Sequence, residues 1–297
     1  MQKITPCLWY DNQAEEAANF YTSAFNDSRI INVTHYGDQG ADISGKPAGT
    51  VMTVAFELDG TEFTALNGGP YFSFTPSISF FVSCENEKEI NELWEKFVPG
   101  GMILMELGKY PFSERFGWVQ DKFGVSWQLS LARYRQKITP FLMFSGDQFG
   151  KAEEAINFYI SLFSNSSIDR IERYLKGEEE PEGTVKHASF LLDGQAFMAI
   201  ESSMEHQFTF TEAISLFVSC ETQDEIDILW EKLSHGGEKV QCGWLKDRFG
   251  VSWQIVPDVL GEMLSDPDPE KSQRVMQAML QMKKIDIAGL RRAYEHS

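Results

Sequence analysis

WVQDKFGVSWQ at residues 118–128 returns as WLKDRFGVSWQ at residues 244–254. Working outward, the match extends over most of the chain. AEEAANFYTSAF (14–25) returns as AEEAINFYISLF (152–163), FELDG (56–60) as FLLDG (190–194), and ISFFVSCE (78–85) as ISLFVSCE (214–221). KITP at 3–6 returns at 137–140, and LWEK at 93–96 returns at 229–232. The offset is 134–138 through most of the unit and falls to 126 at its end, because the first copy has about ten extra residues between Gly101 and Trp118. A period that long means duplicated domains, not a solenoid of short repeats.

Each copy also repeats within itself. ITPCLWY reads as a strand. The helix over roughly 13–26 that follows carries Ala17, Phe20, Tyr21, Ala24 and Phe25 on one apolar stripe. Strands near 29–36, 51–58 and 62–67 come next, with Asp59-Gly60 as a tight hairpin turn. A second strand, helix and three strands follow near 77–84, 87–97, 102–107, 116–120 and 125–131. The second copy places strands near 138–144, 168–174, 184–192, 195–201, 213–220, 239–245 and 251–256. The pattern predicts an α+β fold of two domains, 1–134 and 135–257, each made of two βαβββ modules. Residues 258–297 lie outside the repeat. The two Asp-Pro pairs at 266–269 open a helix whose Val275, Met279 and Met282 form a stripe suited to docking on a core.

The chain has 297 residues, and 42% of them are hydrophobic, enough to bury a sizeable core. Its net charge is −18, and both halves are acidic, which disfavours a nucleic-acid partner. No apolar run approaches the roughly 18 residues of a membrane span, and the N-terminal stretch does not read as a secretory signal. Cysteines 7, 84, 220 and 242 form no CxxC and no disulfide pattern. These features predict a cytoplasmic protein.

NFYTSAF, ELDG, NGGP (67–70), GWVQDKFGVSWQ and CGWLKDRFGVSWQIVP together resemble the PhnB-like branch of the vicinal oxygen chelate superfamily. That superfamily includes glyoxalase, bleomycin-resistance and extradiol-dioxygenase folds. The branch often carries the name 3-demethylubiquinone-9 3-methyltransferase domain. The tail looks like the C-terminal extension of single-domain members. The resemblance implies paired modules around cavities. It also implies that the tandem supplies, in one chain, the interface that single-domain relatives make by dimerising; a monomer with an intramolecular pseudo-dimer and a homodimer are both open.

Metal-using members of the superfamily place His, Glu or Gln on four strands. By that pattern Gln128 and Gln254 stand where a final-strand Glu is often a ligand, and Asn67 ends the strand that could supply another. An amide oxygen binds a cation far less well than a carboxylate, so no metal site is expected in the first copy. In the second copy His187, Glu201 and His206 are of the right ligand types for a divalent metal. The competing reading gives them ordinary structural roles. Trp9, Trp118 and Trp244 fall on strands or at their ends and suit an apolar pocket for a planar ligand. On alternation, Trp127 and Gln128 face opposite sides of their strand. Asp121 and Asp247 begin turns, and turn formation explains them. Asn67-Gly68-Gly69-Pro70 reads as a turn rather than an anion cradle. No GxGxxG follows a strand, so methyl-donor chemistry finds no support.

These observations predict a small-molecule-binding protein, non-catalytic or weakly catalytic and needing no cofactor. The ligand-facing residues would be Trp9, Asn67, Trp118, Gln128, Glu201, Trp244 and Gln254. A metal-dependent isomerase, lyase or dioxygenase using the second domain, and a scaffold for protein partners, are the alternatives.

Overall fold

A computed structural model describes residues 2–37 and 46–295. His296 lies outside the described residues. The first repeat runs β1 (Ile4–Tyr10), α1 (Ala14–Ala24), β2 (Ser28–His35), β3 (Val51–Leu58), β4 (Thr61–Asn67), then β5 (Ile78–Cys84), α2 (Glu87–Phe97), β6 (Met102–Tyr110), β7 (Ser113–Gln120) and β8 (Ser126–Leu131). The second runs β9 (Ile138–Ser145), α3 (Ala152–Ile160), β10 (Ser167–Arg173), β11 (Val185–Leu192), β12 (Gln195–Ser202), then β13 (Ile214–Cys220), α4 (Gln223–Leu233), β14 (Glu238–Lys239), β15 (Trp244–Lys246) and β16 (Ser252–Pro257). Three helices follow: α5 (Asp258–Leu264), α6 (Pro269–Leu280) and α7 (Ile287–Glu295).

The strands form two eight-stranded mixed sheets, and each sheet takes one module from each repeat. The first sheet has the order β14-β15-β16-β13-β1-β4-β3-β2. The second has β10-β11-β12-β9-β5-β8-β7-β6. The modules join through the same antiparallel contact in both, Ile4 opposite Val218 in β1–β13 and Ile138 opposite Val82 in β9–β5. The repeat boundary near residue 135 therefore does not separate the sheets.

One face of each sheet packs on helices. Trp127 and Trp253 are fully buried there, Trp127 against Tyr21, Phe25, Phe80 and Phe97, and Trp253 against Tyr159 and Phe163. Phe63 of the first sheet meets Phe80 of the second edge-on at 5.1 Å, so one core runs through both repeats. Gln128 and Gln254 face the opposite, outer side, as strand alternation requires.

Asp121 and Asp247 do more than turn the chain. Asp121 Oδ1 accepts the amides of Phe123 (2.8 Å) and Val125 (3.0 Å), while Oδ2 accepts Tyr21 Oη (2.7 Å) and Trp127 Nε1 (2.8 Å). Asp247 repeats this with Phe249, Val251, Tyr159 and Trp253. Each carboxylate thus ties a helix of one sheet to a turn of the other. Burial pushes both carboxyls above the usual range, and the four donors pull them back.

The strand expected over 239–245 is broken into β14 and β15. Cys242 and Gly243 sit between them in left-handed conformations, φ 58° and 81°. Their amides donate to Met282 O and Lys283 O of the tail, both at 2.8 Å. A Cβ at position 243 would lie 2.6 Å from Ile255 O, so only glycine fits there. In the first repeat the extra residues instead extend β6 and β7 into a long hairpin.

Candidate functional site on the outer sheet faces

The two positions expected to offer acidic or amide ligands are used as helix caps. Asn67 Oδ1 accepts the amide of Ala14 at 2.9 Å, and its Nδ2 donates to Val51 O at 3.0 Å. Glu201 Oε1 accepts Ala152 N at 2.8 Å, and Oε2 accepts Val185 N at 2.6 Å. Residues Gln13 and Lys151, which precede these helices, make no side-chain cap bond. Asn67 and Glu201 supply the missing acceptor from a neighbouring strand. Sequence reasoning missed this role because the helix and its cap are far apart in the chain.

Nor does the structure gather His187, Glu201 and His206. Glu201 has both oxygens on backbone amides. His206 Nε2 lies 3.0 Å from Ser202 Oγ, and its ring stacks on Phe208. His187 lies against Phe141 on the outer face, where burial lowers its pKa. Among the described residues, no three His, Cys, Asp or Glu side chains come together to hold an ion. The 67–70 segment is a turn, with the amides of Gly68 and Gly69 both donating to Tyr10 O. Gly68 is needed because a Cβ there would lie 2.2 Å from the ring of Trp9.

Gln128 and Gln254 hold matching places. Gln128 Nε2 donates to Ser79 Oγ (2.8 Å) and Gln254 Nε2 to Ser215 Oγ (2.9 Å), each beside the seam where two modules join. The surroundings differ. On the second sheet Phe141 and Met198 are register partners. They close over with Phe81 and Phe116 into one buried cluster, flanked by Met105, Trp118 and Ile200. On the first sheet the register partners at the same places are Cys7 and Thr64. Two small side chains thus replace two bulky ones at the centre of the face. Around them stand Trp9, Leu66, Phe217 and Trp244, all half-buried.

The tryptophans differ as well. Trp118 Nε1 donates to Ser126 Oγ at 2.7 Å. Its counterpart Trp244 meets Trp9 edge-to-face at 5.7 Å, and Trp9 Nε1 donates to Gly69 O at 2.8 Å. The tail covers one side of this face: Val256 packs with Leu260, Met263, Val275, Ile285 and Leu290, with Phe217, Met279 and Met282 against them. The expected docked stripe of Val275, Met279 and Met282 is therefore present. Its position beside the first sheet's outer face carries no local sequence signal.

Two open surface clefts, of about 510 and 710 Å³, flank Lys137. Polar and charged side chains such as Asp59, Glu85, Arg133 and Arg135 dominate their walls, and none of the expected ligand-facing residues lines them. All four cysteines are free thiols. Burial pushes Cys7 up to about 11 and Cys84 and Cys220 up to about 12. No helix among the described residues is long and apolar enough to cross a membrane.

The family model described as 3-demethylubiquinone-9 3-methyltransferase matches residues 2–130 and again 136–256. A PhnB protein from Bacillus cereus is 47% identical over 44% of this chain and 100% of its own, with a TM-score of 0.41. Glyoxalase I from Zea mays is 12% identical, covers 84% of this chain and 89% of its own, and superposes with a TM-score of 0.56, a likeness of fold alone. No curated protein matches the chain in sequence. With the family model matched twice and the βαβββ modules repeated in tandem, the chain belongs to the PhnB-like 3-demethylubiquinone-9 3-methyltransferase family of the vicinal oxygen chelate fold.

Proposed function

We propose that this protein binds a small, largely apolar molecule on the outer face of its first sheet, and that it does so with little or no catalysis of its own. The observation that carries this reading is the replacement of the Phe141–Met198 pair by Cys7–Thr64 at the centre of the outer face. Phe141 and Met198 are 5% and 3% exposed and fill their own face. Cys7, 3% exposed, and the half-buried Thr64 bring much less side-chain volume to theirs, and it is the side chains around them that cover Cys7. Trp9, Trp244, Leu66 and Phe217 offer apolar walls, and Gln254 with Ser215 offers a polar floor, the usual composition of a small-molecule site. Burial of a planar ring against such walls provides most of the affinity, at about 25 cal/mol per Å² of apolar area removed from water.

Under this reading the second face is closed by its own side chains, and the tandem has one working site. Isothermal titration of the purified full chain with a panel of aromatic and small oxygenated compounds tests this. The expected result is saturable binding with one equivalent per chain. A panel without saturable binding, or a stoichiometry of two, would count against the reading.

A further inference from the structure

The identity of the polar group on the ligand follows from a second difference between the two faces, and it rests on the binding reading above. In the second sheet, Trp118 and Ser126 satisfy each other. In the first sheet, Trp244 is turned toward Trp9, and the hydroxyl of Ser252 is buried with no hydrogen-bond partner. Ser252 is 1% exposed. It lies on the outer face with Gln254, on the side of β16 opposite Trp253. Its register neighbours are Ser215 and Lys246. Ser215 Oγ is taken by Gln254, and Lys246 is paired with Glu212. The indole N–H of Trp244 makes no hydrogen bond among the described residues.

An indole N–H can only donate, and a serine hydroxyl can donate as well as accept. A buried hydroxyl left without a partner destabilises the fold, and a ligand atom that satisfies it recovers that loss. The Trp118–Ser126 bond shows that side chains at these two positions reach a common point when the indole is oriented as Trp118 is, an orientation that Trp244, now edge-on to Trp9, would take on binding the ligand. We propose that the first sheet's outer face takes a ligand with a flat apolar body and one neutral carbonyl oxygen, the oxygen accepting from Trp244 Nε1 and Ser252 Oγ. A neutral acceptor fits better than a carboxylate for two reasons. The chain carries a net charge of −18, and the nearby ammonium of Lys246 already has a carboxylate partner.

The test titrates 1-indanone and indane, which share one shape and differ by the carbonyl, into the full chain by calorimetry. Wild type is compared with Ser252→Ala and Trp244→Phe. The expected result is that 1-indanone binds wild type about tenfold more tightly than indane, as one good hydrogen bond allows. In either variant that advantage should fall below about threefold. Equal affinities in wild type, or an advantage that survives both substitutions, would overturn the carbonyl assignment and leave the binding site standing. Failure of both compounds to bind wild type would overturn the assignment together with the binding reading. Ser252→Ala removes a hydroxyl that bonds to nothing in the fold, so the variant retains the native contacts.

Discussion

Cys7 and Thr64 lie opposite each other across the parallel pair β1–β4, in the place where Phe141 and Met198 face each other across β9–β12. A duplicated fold has kept its framework at these points and changed the two side chains that it carries there. The cores behind them are nearly identical, down to the four donors on Asp121 and on Asp247. The outer faces are not. Function in a duplicated chain is best sought where the copies differ without a structural reason, and these positions are the clearest case here.

The buried carboxylates should dominate stability. Asp121→Ala strands the hydroxyl of Tyr21, the indole N–H of Trp127 and two turn amides in the core. Leaving several buried donors unpaired is expected to cost at least about 3 kcal/mol. Asp247→Ala should cost a similar amount. Urea unfolding followed by tryptophan fluorescence measures both, and a loss under about 1 kcal/mol would show that the four bonds matter little.

Ser126→Ala and Ser252→Ala should behave differently although the residues are counterparts. Ser126 Oγ accepts from Trp118, so its removal is expected to cost about 1 kcal/mol. Ser252 Oγ has no partner, so its removal should be neutral or slightly stabilising. Parallel denaturant curves without ligand decide this. Equal losses would mean that Ser252 is satisfied after all.

Asn67→Ala and Glu201→Ala should each lower stability by about 1–2 kcal/mol, as the loss of an N-cap does. Each also frees a second backbone group, Val51 O or Val185 N. Hydrogen exchange at Ala14 and Ala152 provides a local reading, and faster exchange at the mutated helix alone is the expected outcome. A loss of metal content without a change in exchange would instead point to a ligand role for Glu201.

The thiols should be quiet. With Cys84 and Cys220 held up to about 12, only about one thiol in ten thousand is ionised at pH 8, and the thiolate is the reactive form. Cys7, at about 11, is fully buried as well. Ellman's reagent should release no fast equivalent from these three in the native protein and should react with all four after denaturation. A slow fraction from Cys242, the one that is only half-buried, is compatible with this. Fast reaction of Cys7 would mean that the face opens far more than described.

Local patterns made much of the fold legible. The apolar stripe of α1, the hairpin turn at Asp59-Gly60 and the opposite facing of Trp127 and Gln128 follow from periods of 3.6 and 2 residues. The repeat gave the module count directly. The pairing of β1 with β13 was not legible, because either module of the other repeat offers a similar strand and the choice is made by tertiary packing. The caps were hidden for a related reason. Asn67 and Glu201 look like site residues at strand ends, and only the three-dimensional structure shows a helix N-terminus beside each. The break at Cys242 and Gly243 required the tail, where two carbonyls some forty residues away accept their amides.

Calorimetry on the double variant Cys7→Phe/Thr64→Met tests the central claim most directly, because it rebuilds the closed second face on the first sheet. Against a compound that binds wild type, the heat of binding should vanish while the unfolding midpoint stays within a few degrees of wild type. Undiminished affinity in the folded double variant would contradict the placement of the site.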